Sequence, residues 1–114
     1  MAEIIYLSEN KEVSMADEWF NIAHLNHFWI ERRFKVFREL TSNLNFNSKK
    51  IGEIGCGMGL VQKQFENFYG ALIDGIELNE NYLKNSIAGN HPRYCYDIFE
   101  KNAELKKKYD HIIL

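Results

Sequence analysis

The 114-residue chain has one proline, two cysteines and little excess charge of either sign. Its longest apolar runs are only a few residues, and no basic, leucine-rich leader opens it. These absences argue against a membrane span or a secretory signal and predict a cytoplasmic location. A net charge of −2 leaves no electrostatic footprint for nucleic acid, which makes nucleic acid a poor candidate partner. Cys56 and Cys95 form no CxxC pair of the kind that holds a metal, and a reducing compartment asks for no disulfide between them. What is present is a 46% hydrophobic fraction, enough for one globular core.

The most informative stretch is Glu53-Ile54-Gly55-Cys56-Gly57-Met58-Gly59, entered from Ile51 and followed by Leu60-Val61. It puts three alternating glycines where a buried strand meets a helix, the place where α/β proteins hold a nucleotide-like cofactor. Glycines permit a tight turn and close backbone approach, and the helix N-terminus offers unpaired N–H groups to a polar ligand. Glu77 ends the strand-like run Ala71–Glu77, at the distance from the loop that suits an acid reaching ribose hydroxyls from a second strand. Cys56 is more simply a small residue in a crowded turn than a nucleophile, because the sequence places no base beside it.

The remaining pattern is α/β. Residues 1–13 read as irregular or as a docking arm. Ser14 with Asp17 resembles a capping box opening a first helix that carries Trp19, Phe20, Ile22 and Ala23. A second helix from near Asn26 should bury Ile30, Phe34, Phe37 and Leu40. Thr41–Lys50 reads as a linker anchored by Leu44 and Phe46. Then follow a strand over 50–54, a helix over 59–69 with Leu60, Val61, Phe65 and Phe68 inward, and a strand over 71–77. A helix over 79–88 has Tyr82, Leu83 and Ile87 inward, and is followed by a strand over 93–96, a short helix from Asp97 and a last strand over 109–114. This alternation predicts a Rossmann-like, doubly wound parallel sheet of about four strands with N-terminal helices. Residues 1–49 would be a helical lid or cap, and residues 50–114 a cofactor-binding half-domain. An exposed Ile112-Ile113-Leu114 suggests a sheet completed by a missing C-terminal half or by a second subunit in a homo-oligomer, or an unusually short version of the fold.

The glycine spacing departs from G-x-G-x-x-G, with Leu60 at the third position, which weakens the case for a nicotinamide cofactor. Instead, Glu53–Gly59 resembles the first motif of class I S-adenosylmethionine-dependent methyltransferases. Gly75-Ile76-Glu77 is similar to their second motif, Tyr96-Asp97-Ile98 to the third, and Tyr109–Leu114 to the strand carrying the fourth. The resemblance covers residues 50 to 114. It implies S-adenosylmethionine as cofactor, S-adenosylhomocysteine as product and a small-molecule methyl acceptor. The loop backbone from Gly55 through Cys56 and Gly57 to Gly59 would follow the methionine part, and Glu53 would fix the loop and the amino group. Glu77 would accept from both ribose hydroxyls, Leu78 would pack on the adenine, and Asp97 and the Ile98 backbone would meet its edge. Acids beside a sulfonium and an ammonium fit better than acids beside a pyrophosphate. Asp97 with Glu100 also has the form of a capping box, and Asp110 reads as a residue at the start of a strand.

Ahead of these motifs lie His24, His27, Phe28, Trp29, Arg32 and Arg33. Two histidines lack the further ligands a metal needs. Trp19, Phe28 and Trp29 read as packing or as a substrate platform, and Arg32 and Arg33 as a solvated helix face or as partners for an acidic acceptor. Tyr6, His24 and His27 are the candidate bases, should an acceptor need one. A non-catalytic cofactor-binding module and an NAD(P)-dependent oxidoreductase are the alternative readings.

Overall fold

The computed structural model describes residues 2–11, 18 and 23–114. Five strands, β1 (Ile4–Tyr6), β2 (Ile51–Ile54), β3 (Asp74–Glu77), β4 (Arg93–Cys95) and β5 (His111–Ile113), form one all-parallel sheet in the order β1-β4-β3-β2-β5. Among the described residues three helices accompany it: α1 (Phe28–Leu40), α2 (Leu60–Tyr69) and α3 (Glu80–Lys84). This is an α/β architecture compatible with a Rossmann-like fold. The chain order of neighbours reverses between β2 and β5, and open α/β sheets bind ligands outside the strand ends at such a reversal.

Side chains alternate across the sheet and sort the core into two faces. On one face Ile51 and Ile73 pack with Phe34 of α1, Phe65 of α2 and Phe46 of the linker before β2, all buried. Phe65 has no exposed surface, a burial worth about 1.5–3 kcal/mol for a side chain of this kind. On the other face Ile76, Tyr94 and Tyr96 meet Leu7, Ile54, Leu105 and Tyr109. Here a 3₁₀ turn at Ala103–Leu105 stands where a full helix could have lain.

Several expectations are corrected. Residues 4–6 are not irregular: they form β1, which pairs with β4, so the N-terminal segment contributes to the sheet and raises it to five strands. Leu40 is 78% exposed because α1 turns Ile30 and Phe34 inward and leaves its last turn in solvent. Phe28 and Trp29 are likewise exposed on the outer side of α1 rather than packed. Phe68 is exposed beneath the Arg38 guanidinium, 4.1 Å from its ring centre. Phe46 anchors the linker, but Leu44 does not. The helix expected over 79–88 stops at Lys84, where Asn85 Nδ2 donates to Asn81 O and Ser86 Oγ accepts from Ala88 N. Such side-chain bonds offer the backbone an alternative to helix, and they leave Ile87 exposed. No α-helix starts at Asp97, whose Oδ1 accepts from Phe99 N in a local turn. The helix expected from Ser14, with Trp19, Phe20 and Ile22, lies outside the described residues. Among the described residues no helix is long and apolar enough to cross a membrane.

Candidate functional site

β2 ends at Ile54, and the chain then runs through Gly55, Gly57 and Gly59 at φ of 76°, 55° and 88° before α2 begins. Left-handed backbone of this kind is costly for residues with a Cβ. Gly59 carries a second constraint, since a Cβ there would stand 2.6 Å from Ser86 Oγ and 2.8 Å from Ala88 Cβ. The loop is bound to the end of β3: Gly55 N and Cys56 N both donate to Ile76 O, at 2.8 and 3.1 Å. One residue on, the Glu77 carboxylate receives Gly57 N at 3.0 Å, Leu78 N at 2.7 Å and Asn79 N at 3.1 Å. The first loop and the acid of the second strand therefore form one hydrogen-bonded unit.

Two clefts open on either side of Gly55. The first, about 460 Å³, is lined by Glu53, Gly55, Cys56, Gly57 and Met58, with Arg33 and Phe34 of α1 opposite. The second, about 400 Å³, is lined by Gly55, Glu77, Leu78, Asp97 and Ile98, with Lys11 at its wall. Each falls within the roughly 300–1,000 Å³ range of small-molecule sites. Eight of the nine predicted cofactor residues thus line adjoining clefts; the ninth, Gly59, lines neither and instead packs against Ser86 and Ala88.

Glu53 is the least comfortable residue of the site. It is 7% exposed, and its Oε2 has no hydrogen-bond partner. Burial pushes its carboxyl up to about 8, with the Glu77 charge adding to the rise and Arg33 opposing it. A buried, unsatisfied carboxyl is expensive unless something else meets it. Cys56 is buried, and burial pushes its thiol well above the ordinary range, which suits a packing residue and not a nucleophile.

Asp97 closes the second cleft. Its Oδ2 is 2.7 Å from Lys11 Nζ, and this contact, with the Phe99 N–H bond, holds the carboxyl below the usual range. Ser8 Oγ accepts from Asp97 N at 3.0 Å, and Lys11 N donates to Leu78 O at 3.4 Å. Lys11 therefore forms part of this wall and Ser8 supports it, a role the sequence reading missed. The local signal available was the run Ile4-Ile5-Tyr6, two β-branched residues and an aromatic, types that favour strands.

The candidate bases are otherwise engaged or set apart. Tyr6 donates to Glu80 Oε2 at 2.9 Å, which raises its pKa. His27 Nδ1 accepts Trp29 N at 3.2 Å and caps α1. His24 lines a smaller pocket with Met58, Leu60 and Ile87. Asp110 Oδ2 accepts Lys50 N at 2.8 Å, tying the start of β5 to that of β2, as a strand-start residue does. Among the described residues no group of three or more His, Cys, Asp or Glu side chains is placed to hold a metal. In comparisons with known proteins, no family model, curated protein or solved structure matches the chain.

Proposed function

We propose that the adjoining clefts bind S-adenosylmethionine and that the chain is a class I methyltransferase, or the cofactor-binding portion of one, acting on a small-molecule acceptor. The observation that carries this reading is Glu53 Oε2, buried without a partner in the cleft walled by the glycine loop. An ammonium donates hydrogen bonds and brings the charge that such a carboxyl lacks, and S-adenosylmethionine has one at the end away from its nucleoside. The nucleoside end then belongs to the second cleft, where Glu77, Leu78, Asp97 and Ile98 offer carboxylates, backbone and an apolar face.

When bound, the cofactor supplies an electrophilic methyl group on a sulfonium. The chain's part is to hold it. Gly55 lies between the clefts and lets a ligand pass close to the backbone, while Glu77, already fastened to Gly57, keeps the loop fixed relative to the second cleft. Phe34, Phe37, Leu60 and Ile113 give the first cleft an apolar wall that excludes water and strengthens its electrostatics. Tyr6 and His27 have structural partners, so a mechanism in which the acceptor arrives already nucleophilic asks least of this chain.

Calorimetric titration with S-adenosylhomocysteine, beside NADH, tests the reading. Binding of the first and not the second supports it; preference for NADH favours an oxidoreductase. Retained S-adenosylhomocysteine binding without methyl transfer to a panel of small acceptors favours a non-catalytic module.

A further inference from the structure

We propose that the outward side of α1 is a docking face for an anionic phospholipid surface. Lipid phosphates sit among Arg32, Lys35 and Arg38, and Trp29, Val36 and Leu40 enter the acyl boundary beside them. This role is independent of the cofactor reading above.

α1 buries only one of its sides, turning Ile30 and Phe34 inward with Phe37 packed beside them. Two adjacent stripes run along the rest of the helix at steps of four and three residues, the spacing that shares a helix face. One is Trp29, Arg33, Val36 and Leu40; the other is Phe28, Arg32 and Lys35. All seven are exposed, Phe28 by 73% and Leu40 by 78%. Four large apolar side chains left in water on one short helix mark an interaction surface.

The cations on the same side define the chemistry of the partner. The helix carries Arg32, Arg33, Lys35 and Arg38 against Glu31 and Glu39, in a chain whose net charge is −2. Among the described residues none of the four cations has a salt-bridge partner. Arg32, Lys35 and Arg38 line one open depression of about 650 Å³, in which Glu31 is the single acid. The Arg38 guanidinium lies 4.1 Å from the Phe68 ring centre, and its Nε is buried without a hydrogen-bond partner. Phosphate oxygens meet such donors, and hydrocarbon takes the apolar stripe. Basic residues beside Trp, Phe and Leu are the composition of helices that lie in a bilayer interface.

Other occupants fit less well. A nucleic acid would use the cations and stack bases on Phe28 and Trp29, but Val36 and Leu40 offer no π face and would stay in water. A second copy across a two-fold axis would set the cations against themselves. Arg33 also lines the first cleft, so a bilayer under α1 would hold that wall of the cleft at the lipid surface.

The test is sedimentation of the full chain with vesicles of phosphatidylcholine alone or in equal parts with phosphatidylglycerol. The anionic vesicles should bind about tenfold or more tightly, and salt should shrink the preference. Arg32→Gln with Lys35→Gln should weaken anionic binding about 25-fold, about fivefold for each cation. Trp29→Ser with Leu40→Ser should weaken it about tenfold or more. Lys101→Gln with Lys106→Gln removes two exposed charges elsewhere and should change binding by no more than about twofold. Thermal melts confirm that each variant is folded. In Trp19→Phe, where Trp29 is the sole tryptophan, emission should move to shorter wavelength on anionic vesicles. Equal binding to both vesicles, no vesicle binding by a folded chain, or loss of binding in the Lys101 and Lys106 pair but not in the α1 pairs overturns the assignment. Binding of a single-stranded oligonucleotide without vesicle binding, or a dimer that shields Trp29, overturns it as well.

Discussion

Gly57 and Glu77 are 20 residues apart, yet Gly57 N donates to Glu77 Oε2 at 3.0 Å, so the loop after β2 is fastened to the acid at the end of β3. The same carboxylate accepts Leu78 N and Asn79 N. Glu77→Ala removes three bonds to a charged acceptor and should cost about 2–4 kcal/mol in chemical denaturation. Glu77→Gln, which keeps one accepting oxygen, should cost less than half as much. If Glu77→Ala is as stable as the wild type, the carboxylate does not hold the loop.

Glu53 should make stability fall with pH. Its folded-state pKa, about 8, lies above the ordinary carboxylate value of 4.5. The folded chain therefore keeps a proton that the unfolded chain has lost, and this contribution drains away as pH rises from 4.5 to 8. The full effect is on the order of 5 kcal/mol at alkaline pH. Glu53→Gln cannot ionise, so it should be more stable than the wild type at pH 8.5, with the difference shrinking toward pH 5. Melting curves at the two pH values check this, and a difference independent of pH contradicts it. A cationic ligand that ionises Glu53 should also release a proton on binding near neutral pH, visible as a buffer-dependent heat.

Asp97 should titrate upward when Lys11 loses its charge. The Lys11 contact is the leading cause of the lowered Asp97 pKa. The stability this pair contributes is present above the unfolded aspartate pKa and is lost as pH falls through the lower folded value. Carboxyl-carbon NMR of Lys11→Met should show the Asp97 midpoint moving up toward ordinary aspartate, and raised salt should move the wild type the same way. An unmoved midpoint contradicts the pairing.

Gly75 sits under Gln62 of α2. A Cβ at Gly75 would lie 2.6 Å from Gln62 Nε2 and 2.7 Å from Cys56 Sγ, while Gln62 itself is fully buried and donates to Ile73 O at 3.1 Å. Gly75→Ala should therefore cost about 1–3 kcal/mol through overpacking. Gln62→Ala should be destabilising alone but should offset part of the Gly75→Ala loss in the double variant, a coupling that a double-mutant cycle measures.

The parts of this molecule that are legible in its sequence are those whose signals are local. Alternating glycines after a short apolar strand define the loop from Gly55 to Gly59, and their spacing to Glu77 pairs two strand ends. The apolar period from Ile30 to Phe34 and Phe37 places α1, and the only proline, Pro92, precedes β4 by one residue. The features that escape are made by distant partners. β1 is three residues long and becomes a strand only by pairing with β4, about 90 residues away. Lys11 and Asp97 are separated by 86 positions, and nothing near either one announces the other. His91 is fully buried with Nε2 3.1 Å from Glu66 Oε2, a contact across 25 positions with no local signal. Periodicity over residues 79–88 overstated α3, because Asn85 and Ser86 redirect the backbone after Lys84.

The most direct test of the two-cleft site is an amide-resolved NMR titration of the ¹⁵N-labelled chain with S-adenosylhomocysteine. Shifts should gather at Gly55, Cys56 and Gly57 and at Leu78, Asp97 and Ile98, the two groups of residues that meet across Gly55. A spectrum that does not change, or changes confined to the neighbouring hollow around Gly52, Leu105 and Tyr109, would contradict it.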